Sequence, residues 1–199
     1  MDLSVTTKEK IRDAAIMLFS DRGYETVSMR DIARIVGIRA ASIYNHFPSK
    51  REILKKIYEF YAEELRKVLP SAEALVLRLE TDPIQDVLDG MSYYYPPDLQ
   101  DRMDRIILIG SQRICLDRNG EAFISEHFFQ PLVDIWVPIL SRAIELGKIE
   151  PVDIGCFTKL ITFFAFSAAE LNRTSMKITK EQWDCGMGML FSLLKPKKD

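Results

Sequence analysis

Gly37 is the residue that most constrains this chain, because it hinges two short amphipathic runs within Ser28 to Phe47, SMRDIARIVGIRAASIYNHF. Three- and four-residue spacing puts Ile32, Ala33 and Val36 on one face of the first run. The second run opens at Arg39 or Ala40. It turns Ile43 and Phe47 inward and leaves Ala40, Ser42, Tyr44 and Asn45 largely outward. Glycine takes the left-handed backbone conformation that stops one helix and starts a sharp turn. Two helices crossing steeply through such a turn form a helix-turn-helix, whose second helix fits a DNA major groove. An ordinary helical corner in a core has the same spacing, so the spacing alone leaves both possibilities open.

The residues around the hinge narrow the choice. Ser28 opens the first run, Ile32-Ala33 sits inside it and Gly37-Ile38-Arg39 forms the turn. Tyr44-Asn45-His46-Phe47 and then Lys50 close the segment. This pattern, over roughly residues 5–65, resembles the DNA-binding domain of the TetR family of transcriptional regulators. The family usually carries a capping Ser or Thr where this chain has Arg39, which adds a phosphate or base contact there. The resemblance implies that Ser28 and Arg30 meet a phosphate at a helix N-terminus, with Tyr44, His46 and Lys50 on the DNA backbone. It also implies that Arg39, Ala40, Ser42 and Asn45 lie nearest base edges, where Arg addresses guanine and Asn adenine. The alternative for Tyr44 and His46 is packing, and for Lys50 a solvated charge. Ile43 and Phe47 belong to the core.

Charge is distributed as this assignment requires. Net charge is −2, yet residues 1–56 carry 11 Lys plus Arg against 7 Asp plus Glu, and the remainder 16 against 22. A basic head on an acidic body presents one end to phosphate. A hydrophobic content of 47% with 28% charged residues excludes a disordered chain. Met1 to Lys10 is polar, and the apolar run Ile154 to Ala169, interrupted by Lys159 and Thr162, is short for a bilayer span, so no membrane association is expected. Cys115, Cys156 and Cys185 are far apart without paired spacing, which suits reduced thiols in a cytoplasm.

The expected fold is all-α: a three-helix helix-turn-helix head over residues 5–65 (motif 28–47) and a helical effector-binding and dimerisation body over 70–199. Capping boxes at Thr6/Glu9 and Ser28/Asp31 open the first two helices, Gly23 closes the first, and Ser49 with Glu52 opens a long fourth helix to about Leu69. Residues 70–82 read as a weaker helix or linker. Asp82-Pro83 predicts a helix start running to Tyr93-Tyr94-Tyr95. A helix begins near Asp98, with Asp101, Asp104 and Arg105 on a solvated face. Pro131 and Pro138 are expected to kink or interrupt the helical pattern from Glu121 to Leu146. Asp153 to Leu171 is apolar on nearly every side, and Thr179/Gln182 caps the last helix.

In the body, Met91, Tyr94, Tyr95, Phe123, Phe128, Trp136 and Phe163 are candidates for an apolar effector pocket, against plain core packing. Phe157, Ile161, Phe164, Trp183, Met187, Leu190, Phe191 and Leu194 are the candidate dimer interface, forming a four-helix contact between two subunits. The sequence has no Gly-rich phosphate loop and no nucleophile elbow. Its only histidines are His46 and His127, so neither enzyme chemistry, a cofactor nor a metal site is expected. Together these features predict a homodimeric repressor on palindromic double-stranded operator DNA, released by a small apolar or aromatic effector. An activator, a regulator answering to a protein partner, and a helical dimeric module that never meets DNA fit the same sequence.

Overall fold

The computed structural model describes residues 5–91, 95–112 and 118–196, and every regular element among them is helical. The head begins with α1 (Thr7–Arg22), whose N-cap Thr6 and third residue Glu9 bond reciprocally; Gly23, at φ 87°, ends it. The next two helices are α2 (Met29–Val36), with the same reciprocal cap between Ser28 and Asp31, and the single-turn α3 (Ala40–Ile43). Then α4 (Lys50–Val68), capped by Ser49, leaves the head and lays Tyr58, Tyr61 and Leu65 into the body.

The body continues through α5 (Ala72–Arg78), α6 (Ile84–Asp89), α7 (Pro97–Ser111) and α8 (Arg118–Ile124). The linker segment is thus helical in part, capped by Ser71. Asp82 does not cap α6, whose N-cap is Pro83, because its carboxylate is taken by Arg78 Nε at 2.8 Å and Thr81 Oγ1 at 2.9 Å. That helix stops at Asp89, well short of the tyrosine run, and Tyr93 and Tyr94 lie outside the described residues.

A π-helical turn, Ser125–Phe129, joins α8 to α9 (Gln130–Glu145). The wider turn places Pro131 in the first turn of α9, where a missing N–H costs nothing. Pro138 sits inside α9, which runs through it without interruption. The chain ends in α10 (Ile154–Asn172), capped by Asp153, and α11 (Lys180–Phe191), capped by Thr179 with Gln182. At 19 residues α10 exceeds the apolar run read in the sequence and reaches bilayer-spanning length and composition. In this fold it packs against α7 and α9.

One apolar cluster runs from the head through α4 to α7 and Phe128; a second gathers α5, α6, α9, α10 and α11 around Trp136. Polar contacts also tie head to body. Arg105 Nη1 and Arg173 Nη2 both donate to Asp21 Oδ1, at 2.7 and 2.8 Å, and Gln112 Nε2 donates to the Phe19 carbonyl at 2.9 Å.

Candidate nucleic-acid interface and body cavities

The turn between α2 and α3 is built as its residues dictate. Gly37 has φ 77° and ψ 27°, and its N–H reaches back to Ala33 and Arg34. Arg39 supplies no side-chain cap to α3. The regular helix accordingly lasts four residues and continues as a hydrogen-bonded turn, with Asn45 N–H on Ser42 O at 3.2 Å and Phe47 N–H on Ile43 O at 3.0 Å. Ile43 and Phe47 anchor this segment in the core. Arg39, Ala40, Tyr44 and Asn45 are exposed, Tyr44 by 54%, while Ser42 and His46 are half-buried. His46 lines a cleft of about 350 Å³ between α1 and α4, along with Lys8, Arg12 and Lys56 and the carboxylates Glu9, Glu52, Glu59 and Glu63.

Two of the nominated groups are engaged within the protein. The Ser28 hydroxyl and N–H donate to Asp31 Oδ2 at 2.5 and 3.0 Å, bonds that hold the Asp31 carboxyl below its ordinary range, and the hydroxyl accepts from Asp31 N–H. Lys50 Nζ donates to the carbonyls of Tyr24 at 2.6 Å and Glu25 at 3.4 Å, above the Tyr24 ring. Its ammonium therefore braces the loop before α2, a role its sequence position did not reveal. Arg30 is exposed on the first turn of α2.

The pocket candidates divide. Phe128 and Trp136 border a small, mostly apolar void of about 20 Å³, and Tyr95 borders a second of the same size beside Asp104. Met91 is fully buried in the second core cluster, and Phe123 stacks on His127 at 4.4 Å. Tyr94 lies outside the described residues. Phe163 is 73% exposed on α10 and borders neither of these voids, a correction to its assignment.

The interface candidates divide as well. Phe157, Ile161, Met187, Phe191 and Leu194 are buried within the protomer, where Phe157 and Phe191 close on Trp136 at 6.0 and 5.8 Å. Phe164, Trp183 and Leu190 are half-buried. The apolar face that α10, α11 and the turn after them leave open consists instead of Leu160, Phe163, Met189 and Leu193. Helical spacing identified the hydrophobic stripe, but both faces are apolar and the sequence did not distinguish inward from outward.

Asp104 is the other departure. It was expected on a solvated face and is buried, accepting from Gln100 Nε2 at 2.8 Å and Asn172 Nδ2 at 2.9 Å. Loss of water raises its carboxyl to about 6, against the two hydrogen bonds that favour ionisation.

Residues 11–57 match the family model of bacterial regulatory proteins of the tetR family. The head is a TetR-family DNA-binding domain. The chain is 46% identical over 52 residues to the biofilm operon icaADBC HTH-type negative transcriptional regulator IcaR of Staphylococcus epidermidis, and 40% identical over 62 residues to IcaR of Staphylococcus aureus. Those alignments span 26% and 31% of this chain and only 28% and 33% of the relatives' lengths.

Over the whole chain the likeness is one of fold. A tetR-family regulatory protein from Rhodococcus RHA1 superposes with a TM-score of 0.72 at 15% identity, covering 97% of this chain and 99% of that one. The ketosteroid regulator KstR2 of Mycobacterium tuberculosis gives 0.68 at 20%, covering 98% and 96%. AibR, solved with isovaleryl coenzyme A and operator DNA, gives 0.66 at 21%, covering 96% and 100%. The TetR-type head thus sits on an all-α body with the architecture of TetR-family regulators.

Proposed function

We propose that this protein is a DNA-binding transcriptional repressor that acts as a homodimer and leaves its operator when a small molecule fills the body. The observation that carries this reading is the surface of the TetR-type head: Arg39, Ala40, Tyr44 and Asn45 stand exposed on a segment that Ile43 and Phe47 fix in the core. Residues 5–65 are the DNA-binding unit and residues 70–199 the unit for effector and dimer contacts. Ser28, Arg30, Tyr44, His46 and Lys50 serve the phosphate backbone, Lys50 mainly by bracing the loop; Arg39, Ala40, Ser42 and Asn45 face base edges.

Dimerisation uses Leu160, Phe163, Met189 and Leu193. An exposed apolar patch of this kind marks an association surface, and an isologous contact through α10 and α11 sets two heads on one palindrome. Their α3 segments then enter successive major grooves, about 34–36 Å apart. The test is fluorescence anisotropy with duplex DNA flanking the protein's own coding region, across a salt series. Affinity should fall steeply with salt. Arg39→Ala or Asn45→Ala should lose about 1–3 kcal/mol of preference at particular base pairs. Affinity that ignores both salt and these changes would refute the reading.

A further inference from the structure

The two small voids of the body lie side by side, because Ile107, Ala165 and Trp183 border both. Their linings differ. One is apolar and reaches Tyr61 on α4, the helix that carries the head; the other ends on Asp104, Gln100 and Asn172. At the polar end the hydrogen-bond count is lopsided. Asp104 takes one donor on each carboxylate oxygen, while Asn172 spends its amide on Asp104 and its carbonyl on the Ile178 N–H. Gln100 Oε1 is buried with no hydrogen-bond partner among the described residues. No Lys or Arg lines the void: Arg105, the next residue, turns away to Asp101 and Asp21.

We propose that these voids are the two ends of one binding site, which takes a molecule with an apolar body and a single ammonium group. The ammonium sits against Asp104 and Gln100 Oε1, and the apolar body lies past Trp183 toward Tyr61. The inference rests on the regulator reading and specifies its effector. A buried carboxylate without a cation is costly, and an incoming ammonium supplies both the charge and the donors that the site lacks. The same burial that raises the Asp104 carboxyl to about 6 makes a cationic partner the one that recovers most.

Each void holds about 20 Å³, room for roughly one water, so binding must displace a side chain. Trp183 is that side chain. It is half-buried on α11, packed at a tilt against Phe164 with ring centroids 5.0 Å apart, and borders both voids. Entry of the head group also parts the bond between Asp104 on α7 and Asn172 on α10. The next residue on each helix, Arg105 and Arg173, holds Asp21 at the end of α1. A ligand that separates α7 from α10 therefore loosens the clamp that orients the head.

The experiment titrates the full chain with octylamine, octanol and octanoate, followed by calorimetry and tryptophan emission, with operator affinity measured on the same preparation. Octylamine should saturate at a concentration at least tenfold below octanol, shift the emission and weaken operator binding; octanoate should not bind. Asp104→Asn should weaken octylamine at least tenfold, and Ala165→Leu should do the same by filling the junction of the voids. Both variants should melt cooperatively. Equal binding of amine and alcohol, or binding indifferent to both substitutions, overturns the site. A chain that holds operator in the expected salt-dependent way but ignores octylamine overturns this inference and leaves the regulator reading standing. Asp104-dependent amine binding by a chain that never holds DNA overturns the regulator reading and supports the site.

Discussion

Glycine serves opposite purposes in the turns of the head and inside the helices of the body, although the body also has one positive-φ glycine, Gly147 after α9, at φ 66°. Gly23 and Gly37 lie at helix ends with positive φ, and a Cβ at either would meet nothing within 4 Å. The backbone, not the space, demands glycine there. Gly110 and Gly186 lie inside helices, where a Cβ would run into the rings of Phe128 and Phe164, at 2.6 Å in the first case. There the space demands it. The head is thus specified by local conformation, while the body is specified by which ring meets which helix.

The largest effect should come from Phe128. Its ring stacks on Tyr61 at 5.2 Å, lies 5.2 Å from Tyr58 and 6.0 Å from Phe166, and covers Gly110. Phe128→Ala should cost about 3–5 kcal/mol in urea unfolding, and Gly110→Ala about 1–3 kcal/mol through overpacking. Because both act on one contact, the double variant should lose less than the two costs added. Strict additivity would show that the ring does not seat on the glycine.

What the sequence revealed follows the same division. Thr6 with Glu9, Ser28 with Asp31, and Gly37 are each interpretable within four residues, and the structure realises all three. The π turn at Ser125–Phe129 was not interpretable: it brings Phe128 against Gly110, a glycine in another helix that local sequence does not point to. Asp104 was misplaced for the same reason. Its neighbours Asp101 and Arg105 form an exposed-looking ion pair at four-residue spacing, and only Asn172, on α10, reveals that Asp104 faces inward. The exposure of Arg39, Ala40, Tyr44 and Asn45 was legible because it follows from two buried anchors, Ile43 and Phe47. The exposure of Leu160, Phe163, Met189 and Leu193 was not, because the buried residues of α10 and α11 are apolar too.

Acid should separate the two regions next. In the head, bonds from Thr6 to Glu9 and from Ser28 to Asp31 lower both carboxyls, so their stabilisation is present above the ordinary carboxylate range and lost as pH falls below it through the lowered values. Asp104 has the opposite sign. Its folded value of about 6 lies above the ordinary 3.8, so the folded protein keeps a proton that the unfolded chain releases. Its contribution therefore declines as pH rises from about 4 to about 6 and is level beyond, a total of about 3 kcal/mol. Asp104→Asn should flatten that part of the stability profile. At pH 7 it should gain about 1–2 kcal/mol, the amide forfeiting one of the two hydrogen bonds. A profile unchanged between pH 4 and 6 would mean that Asp104 is hydrated in solution.

The smallest effect tests the head at its hinge. Gly37→Ala places a Cβ at φ 77°, which costs about 1–2 kcal/mol for an ordinary L-residue. Asparagine visits the same region readily, and open space surrounds the position. Gly37→Asn should therefore lose less than half as much in a thermal melt, and its operator affinity should stay within about threefold of the parent, some 0.6 kcal/mol. The same pair of substitutions at Gly110 should give the reverse order, since asparagine is larger than alanine and the obstacle there is a ring. If Gly37→Asn proves as damaging as Gly37→Ala, the turn requires glycine for close approach to something other than this chain. The most direct candidate would be the DNA itself, and the deficit would then appear in operator binding rather than in the melt.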